Sequence, residues 1–203
     1  DVCSSDLNAT VYAQEGSEDF EELSIEELKK LDLNENDAVV ALSASGRTPY
    51  AKGALKYAKE VGAAHIAVSC SRNAELSKLG EVAIEVVTGA EVITGSTRLK
   101  AGTAQKMILN MLSTGSMIKS GKVYGNYMVD VRAGNHKLVE RSKKIIVDCT
   151  GVSREEAEKY LEISEGRVKL AVFMILSQLN KEESIKFLEE NDNTIYKALQ
   201  AIK

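Results

Sequence analysis

The segment Asp37–Tyr50 constrains the fold of this chain more than any other part of the sequence. It begins with five uninterrupted apolar residues, Ala38–Leu42, a run that is typical of a strand buried on both faces of a parallel sheet. Small and hydroxylated residues follow, and Pro49 then opens a helix, where its missing N–H would have had no partner anyway. The segment therefore predicts a strand, a tight loop and a helix N-terminus, in that order.

The loop of this segment combines hydroxyl groups with the position of a helix N-terminus. Ser43, Ser45 and Thr48 supply hydroxyl donors, and Gly46 lets the backbone approach a ligand closely. Because the positive end of the helix dipole favours an anion, we predict a phosphate site here. The alternative is an ordinary strand-to-helix turn in which Ser or Thr caps the helix. The loop matches neither the Walker motif nor G-x-G-x-x-G, so the local pattern leaves both interpretations open.

Two more apolar strands are predicted further along, at Ala64–Cys70 and Val82–Val87. Helices are predicted between the three strands, at Pro49–Val61 and at about Ala74–Leu79. This alternation favours an α/β fold, a doubly wound parallel sheet flanked by helices. Ligands of such sheets bind at the carboxyl ends of the strands, which is where the serine-rich loop lies.

Longer helices are predicted on both sides of this region. One spans Gly16–Leu31, and its apolar residues Phe20, Leu23, Leu28 and Leu31 are expected on one face. Another is capped by Ser96 or Thr97, continues to about Lys119, and is expected to direct Met107, Ile108, Met111 and Leu112 inward. A third spans Asn135–Cys149 and is expected to expose a solvated basic face of Lys137, Arg141, Lys143 and Lys144.

Short helices without any strand signal fill the rest of the chain. Ser153 and Glu156 have the spacing of a capping box at the start of the first one. The predicted helices are Ala157–Ile163, Val168–Leu179, Glu182–Glu190 and Thr194–Ile202. They predict a small C-terminal helical subdomain, with a boundary near Gly151. Gly121–Val131, which contains two glycines and two tyrosines, is predicted to be an ordered connector.

The composition excludes several classes of function. The 203 residues carry a net charge of −4, which argues against nucleic acid as a partner, and no apolar run approaches the roughly 20 residues of a membrane span. The cysteines Cys3, Cys70 and Cys149 are far apart and odd in number, which favours a reducing compartment. With only two histidines, His65 and His136, zinc sites and histidine triads are not expected.

The first seven residues, Asp1–Leu7, match nothing that follows, and the chain has no initiating Met and no signal-peptide pattern. We interpret residues 1–7 as a non-native leader joined to a truncated reading frame. A native disordered tail is the alternative.

Three motifs give the chain a family resemblance from about Asn8 to its end. They are Ser45–Tyr50 (SGRTPY), Glu91–Lys106 (EVITGSTRLKAGTAQK) and Gly121–Val131 (GKVYGNYMVDV). With these motifs the chain resembles the bacterial N-acetylmuramic acid 6-phosphate etherases of the sugar isomerase (SIS) superfamily, to which glucokinase regulatory proteins also belong. The resemblance implies an SIS-type sheet in residues 8–150 and a three-helix, ubiquitin-associated-like subdomain in residues 151–203.

The resemblance also implies a function. Members of this family are cytoplasmic homodimers without a metal or an organic cofactor, and they act in the recycling of cell-wall amino sugars. They cleave the lactyl ether of their phosphosugar substrate to N-acetylglucosamine 6-phosphate and D-lactate, by elimination and then addition of water. One glutamate removes the C2 proton of the open-chain sugar, and a second glutamate protonates the departing lactate oxygen. No nucleic acid or membrane is involved.

Site residues follow from the same resemblance. Glu18, in the motif Glu15–Asp19, falls on the catalytic base; without the family it would be read as an acid that stabilises a helix dipole. Ser43, Ser45, Gly46 and Thr48 are expected to bind the substrate phosphate, with Ser43 the most variable of them. Ser96, Thr97 and Lys100 are expected to touch either the substrate or a subunit interface.

The family's second glutamate, which protonates the departing lactate oxygen, has no counterpart among these residues. The strand and loop that precede it in the family have none either. We therefore expect the 203 residues alone to be catalytically inactive, with an exposed sheet edge that promotes aggregation. Two other functions stay open. A sugar-phosphate sensor would need the serine-rich loop but not Glu18, and an aldose–ketose phosphate isomerase would share the loop but not the motif Gly95–Lys100.

Overall fold

The structure is a computed structural model that describes residues 16–131 and 136–202. The chain divides into two compact units, one up to Asn110 and one from Met111. Several sequence predictions fall outside the described residues: the leader 1–7 with Cys3, the segment 8–15 with Glu15, and the helix start at Asn135. Within the described part, no helix is both long enough and apolar enough to cross a membrane.

The first unit is an α/β layer structure. Its elements are a 3₁₀ turn Ser17–Asp19, α1 Glu21–Lys30, β1 Ala38–Ser43, α2 Pro49–Glu60, β2 Ala64–Ser69, a 3₁₀ turn Leu76–Lys78, β3 Val82–Glu85 and the first half of α3 Lys100–Lys119. The three strands form one parallel sheet in the order β1–β2–β3, with Ser43 opposite Ser69 and Ser69 opposite Glu85. The predicted parallel α/β fold is therefore confirmed, and the carboxyl ends of all three strands meet at one edge.

Small residues let α2 pack closely on this sheet. Leu55 is fully buried and contacts a cluster that contains Ala41, Ala51 and Ala67. Leu55 and Ala58 both have no exposed surface. The close packing fixes the N-terminus of α2 relative to the ends of β1 and β2, because core side chains interdigitate with little free space.

Strand β1 is less buried than its apolar sequence predicts. Ala38 is exposed, Val39 and Val40 are half-buried, and only Ala41 and Ser43 are buried. The reason is its position, since within the described sheet β1 pairs with β2 alone and forms an edge. An open cleft lies along this edge, with Leu28 among its lining residues. Aggregation through the edge stays a prediction.

The apolar face predicted for the first helix is wrong. Of the four residues expected inward only Leu28 is buried; Phe20, Leu23 and Leu31 are exposed. Phe20 precedes α1 in extended backbone, and Leu31 follows its last turn. The fully buried residue in the middle of α1 is instead Ser24, which lies against Gly53 of α2.

The inward face predicted for α3 is only partly correct. Ile108 is buried and Leu112 is half-buried, but Met107 is 52% exposed and Met111 is 63% exposed. The helix is turned so that Ala101 and Ile108, seven residues apart, face inward. The outward face therefore presents a stripe of apolar side chains.

The second unit is built from helices around its own core. A β-hairpin of β4 Val123–Tyr124 and β5 Tyr127–Met128 is followed by α4 His136–Thr150, α5 Arg154–Ile163, α6 Val168–Ser177, α7 Lys181–Glu190 and α8 Ile195–Ala201. Ser153 caps α5 by accepting a hydrogen bond from the Glu156 N–H, which is one of the two hydrogen bonds of the predicted capping box. A capping box that the sequence analysis missed joins Asn180 and Glu183 at α7.

Helix α4 shares this core with the helices that follow it. Ile145 and Ile146 of α4 pack in one cluster with Leu161 and Phe173. The boundary expected near Gly151 therefore does not coincide with the division between the compact units, and the domain limits 8–150 and 151–203 stay predictions.

Three of the four basic residues predicted on the solvated face of α4 are exposed, namely Lys137, Arg141 and Lys144, but Lys143 is buried. The Lys143 side chain is only 10% exposed, and its Nζ lies 3.3 Å from Glu140 and 2.5 Å from Glu158. Glu140 also pairs with Arg154 at the start of α5. The Glu158 hydrogen bond is the main reason that the pKa of Lys143 is raised, and the network ties α4 to α5.

Candidate phosphate site

The hydroxyl groups of the loop after β1 are gathered around one buried side chain, Ser43. Its Oγ lies 2.7 Å from the Thr48 Oγ1 and 3.4 Å from the Ser45 Oγ, and it accepts a hydrogen bond from the Gly46 N–H at 3.0 Å. Ser43 is buried whereas Ser45 is exposed, so the cluster reaches from the core to the surface. The structure thus brings all four predicted phosphate-binding residues together.

Gly46 is required by the packing of the neighbouring loop. Its φ is +67°, and a Cβ built there would lie 2.3 Å from the Ala74 Cβ. The loop after β2 is attached at the same place, because the Leu76 N–H donates to the Gly46 carbonyl at 2.9 Å. The sequence analysis expected Gly46 to admit a ligand, but in the structure the close neighbour is Ala74.

Helix α2 begins without a capping side chain. Thr48 is its N-cap residue, and no side chain of the cap accepts a hydrogen bond from the first turn. The Thr48 hydroxyl contacts Ser43 instead, Pro49 fills the first helical position, and no acidic residue lies in the first turn. The simple capping alternative therefore does not describe this loop, and the first turn of α2 itself contributes no carboxylate to the positive end of the helix.

The two neighbouring N–H pairs at this edge are occupied by carboxylates of the chain. Glu85 accepts hydrogen bonds from the Asn73 and Ala74 N–H groups, both at 2.9 Å. The Ser77 hydroxyl beside it and these two N–H groups lower the pKa of Glu85 below its ordinary value. An anion from solution would have to displace the Glu85 carboxylate before it could bind to these two N–H groups.

Glu91 closes the N-terminus of α3 in the same way. Its two carboxylate oxygens accept hydrogen bonds from the Lys100 N–H at 3.0 Å and the Ala101 N–H at 3.1 Å. These hydrogen bonds lower the pKa of Glu91. The predicted cap by Ser96 or Thr97 is therefore wrong, because a carboxylate nine residues before the helix takes that position.

Ser96, Thr97 and Lys100 lie in and after the loop that Glu91 holds. The Lys100 Nζ donates to the Ala90 carbonyl at 2.8 Å, the Ser96 Oγ accepts a hydrogen bond from Arg98, and the Thr97 side chain is exposed. Among the described residues, no hydrogen bond joins these three to the serine-rich loop. Their contact with a substrate or an interface stays a prediction.

Glu18 lies apart from the hydroxyl cluster in the hydrogen-bond network. It is an exposed residue of the 3₁₀ turn Ser17–Asp19, which follows Gly16 at a φ of +85° and lies beside α2. No hydrogen bond connects Glu18 with the serine-rich loop within the described part of the chain. The structure therefore places the predicted base beside α2, but it shows no hydrogen bond from this residue to the serine-rich loop in the described part of the chain.

Sequence reasoning missed a hydrogen bond between Tyr50, in the first turn of α2, and Glu27 of α1. No local pattern pairs these residues, which are 23 positions apart. Across residues 16–131 and 136–202, no three potential metal ligands of the types His, Cys, Asp and Glu lie together.

Comparison with known proteins gives this fold and site a class. The model of the SIS domain family matches residues 19–115, the region that contains the parallel sheet and the serine-rich loop. The model of the C-terminal lid domain of glucokinase regulatory protein matches residues 125–164. The first unit is thus an SIS domain.

Relatives with curated names then show which SIS proteins the chain is similar to. The chain is 56% identical over 193 residues, or 95% of its length, to a protein of Bacillus cereus named N-acetylmuramic acid 6-phosphate etherase. Proteins of the same name from Clostridium beijerinckii and Bacillus anthracis are 54% and 55% identical over 96% and 95% of the chain. The resemblance to these etherases that the sequence motifs indicated is therefore confirmed. The chain spans 66%, 64% and 66% of the length of these three relatives.

Proposed function

We propose that the chain is the sugar-phosphate-binding part of an N-acetylmuramic acid 6-phosphate etherase, a carbon–oxygen lyase of cell-wall amino-sugar recycling in the cytoplasm. The observation that supports this most is the hydroxyl cluster around Ser43 at the uncapped N-terminus of α2. The names of the relatives, at 54–56% identity, supply the reaction.

The hydroxyl cluster divides the work of holding the phosphate. Ser43 is buried and accepts the Gly46 N–H, so its role is to orient Thr48 and the loop backbone. Ser45 is exposed and Thr48 is half-buried, so their hydroxyl groups are the ones that can donate to phosphate oxygens. The N-terminus of α2, which has no acidic residue in its first turn, adds its dipole to this neutral donor set.

The proposed chemistry is an elimination followed by hydration. The Glu18 carboxylate takes the C2 proton of the open-chain sugar, and the electron pair of that C–H bond forms a double bond between C2 and C3. The bond between C3 and the lactyl oxygen breaks, and a second carboxylic acid gives that oxygen its proton. Water then adds to C3, and D-lactate and N-acetylglucosamine 6-phosphate result. Carboxyl groups in opposite protonation states can perform these two proton transfers.

The test uses the chain extended to its natural N-terminus, because the second glutamate is not among the residues of this chain that match the family. Parent and Glu18→Gln are incubated with N-acetylmuramic acid 6-phosphate, and free D-lactate is measured. Release by the parent and a loss of about 100-fold or more in the variant is expected, the scale of one acid–base group. Glu22→Gln, which neutralises an exposed carboxylate in the first turn of α1, is the matched control and should keep parental activity.

We expect the 203 residues alone to release no D-lactate in the same assay, because none of them matches the family's second glutamate. Lactate release near the rate of the extended chain would refute that part of the proposal, whereas failure of the extended chain would refute the etherase itself.

A homodimer is the proposed assembly, and the apolar stripe on α3 supports it. Met107, Met111 and Ile118 of α3 are 52%, 63% and 54% exposed, and Leu99, which directly precedes the helix, is 60% exposed. Such a row of large apolar side chains along a 20-residue helix is typical of an interface. Met111→Glu should shift the mass measured by sedimentation from dimer to monomer, and a parent that is already monomeric would refute the dimer.

A non-catalytic sugar-phosphate sensor is the second candidate, and the match to the lid domain of glucokinase regulatory protein favours it. A sensor requires the hydroxyl cluster but not Glu18. Binding of the phosphosugar by the extended chain without lactate release, and with equal affinity in Glu18→Gln, would establish the sensor in place of the enzyme.

A further inference from the structure

Helix α1 follows the proposed base almost directly in the chain. Glu18 lies in the 3₁₀ turn that ends at Asp19, and α1 begins at Glu21 with only Phe20 between them. The position of the Glu18 backbone is therefore set by the way in which α1 is fixed to its neighbours. The helix that α1 contacts is α2, whose N-terminus carries the hydroxyl cluster.

The closest contact between the two helices depends on a glycine. A Cβ built on Gly53 would lie 2.4 Å from the Glu21 carbonyl oxygen and 2.6 Å from the Ser24 Oγ. Ser24 has no exposed surface, and its hydroxyl donates to the Glu21 carbonyl at 2.8 Å, so the polar groups at this contact are satisfied. A glycine inside a helix costs about 1 kcal/mol relative to alanine, which is offset here by the close approach of α1.

Two polar contacts flank the glycine, one on each side along α2. Tyr50 donates its hydroxyl hydrogen bond to Glu27, and the Lys56 Nζ lies 2.5 Å from a Glu21 carboxylate oxygen. Tyr50, Gly53 and Lys56 are spaced three residues apart, so they lie along one side of α2. The three contacts hold α1 against successive turns of α2.

We propose that Gly53, with the Tyr50–Glu27 hydrogen bond, is the positioning device that sets Glu18 relative to the bound sugar phosphate. This inference rests on the proposed role of Glu18. Glu21 is a backbone contact at the start of α1, so any side chain at position 53 displaces the end of α1 that leads to Glu18. Restoring ordinary contact distance requires a shift of about 1 Å, and misplacement on that scale can cost about 100-fold in rate.

The test separates binding from proton abstraction on the full chain. The chain is incubated with N-acetylglucosamine 6-phosphate in D₂O, and exchange of the C2 proton is followed by NMR, a reaction that needs the base but no ether cleavage. Affinity for the same phosphosugar is measured by calorimetry. Gly53→Ala should lower the exchange rate at saturation by about 10- to 100-fold and change the dissociation constant by less than about threefold.

A second variant keeps the test independent of the bulk added at position 53. Tyr50→Phe removes one hydroxyl group without adding an atom, and it should lower the exchange rate in the same direction. Tyr196→Phe removes a hydroxyl group from a tyrosine that is 64% exposed in the second unit, and it is the matched control. The pH at which exchange is half-maximal should stay at its parental value in all three, because the base itself is unchanged.

Amide hydrogen exchange supplies a readout that does not need activity. Gly53→Ala should increase the exchange of amides in residues 17–24 and leave that of the loop 69–76 unchanged. Equal exchange in residues 17–24 of variant and parent, or equal C2 exchange in Tyr50→Phe and Tyr196→Phe, would overturn the proposal. A parent that binds phosphosugar but never exchanges C2 would overturn the role of Glu18, while the amide data would still decide whether Gly53 holds this segment.

Discussion

Gly46→Ala would place a methyl group where the serine-rich loop has no room for one. The left-handed backbone at φ +67° costs a non-glycine residue about 1–2 kcal/mol. The new Cβ would lie 2.3 Å from the Ala74 Cβ and 3.3 Å from the Ser69 Cβ, and overpacking of this kind costs about 1–3 kcal/mol. We therefore expect a loss of about 2–5 kcal/mol in the free energy of unfolding, a large share of the stability of an ordinary domain.

Urea unfolding followed by circular dichroism measures this loss, and the chain supplies a matched control. Gly89 has a φ of +70° with no atom within 4 Å of a Cβ built there, so Gly89→Ala contains the backbone cost without the collision. The double variant Gly46→Ala/Ala74→Gly removes the colliding atom and should recover part of the loss beyond additivity. Equal destabilisation by Gly46→Ala and Gly89→Ala would refute the contact with Ala74.

Three further predictions concern side chains with shifted pKa values or strong burial. Because the pKa of Glu91 is lowered in the folded state, its carboxylate stabilises the fold above its ordinary pKa of 4.5, and this contribution is lost as the pH falls through the lower folded-state pKa. Glu91→Gln should therefore flatten the dependence of the free energy of unfolding in urea on pH below about pH 5. An unchanged dependence on pH would contradict this. Burial raises the pKa of the Cys70 thiol, so an aromatic disulfide reagent should modify Cys70 at least tenfold more slowly in the folded chain than in urea. Similar rates of modification of the peptide that contains Cys70 in the two states would argue against burial. Lys143→Met should lower the melting temperature more than Lys144→Met, because the first lysine is 10% exposed between two carboxylates and the second is 76% exposed.

The elements of the fold were predictable because their signals are local. The apolar run before Ser43, the proline at position 49 and the Ser153 cap of α5 each need only a few neighbouring residues. The clustering of Ser43, Ser45, Gly46 and Thr48 could be predicted for the same reason, since they lie within six positions of each other and one turn brings them together.

The faces of the helices were not predictable, because they depend on contacts that are distant in sequence. Ser24 rather than Leu23 faces inward because Gly53 lets α1 approach at that point. Lys143 is buried because carboxylates on two helices surround it. Glu91 caps α3 from nine residues away, a distance for which no capping pattern in the sequence exists. In each case the deciding partner lies outside the window in which helix periodicity or capping is read.

The carboxylates of Glu85 and Glu91 also bear on how this scaffold can change. Each one occupies a pair of backbone N–H groups that would otherwise be free to hold an anion. A single neutral substitution at position 85 would vacate the N–H groups of Asn73 and Ala74, and Ala74 already touches the loop that contains Gly46. The Glu85 carboxylate therefore serves as an internal anion for this end of the sheet, and its removal would leave two backbone N–H groups unpaired directly beside the serine-rich loop.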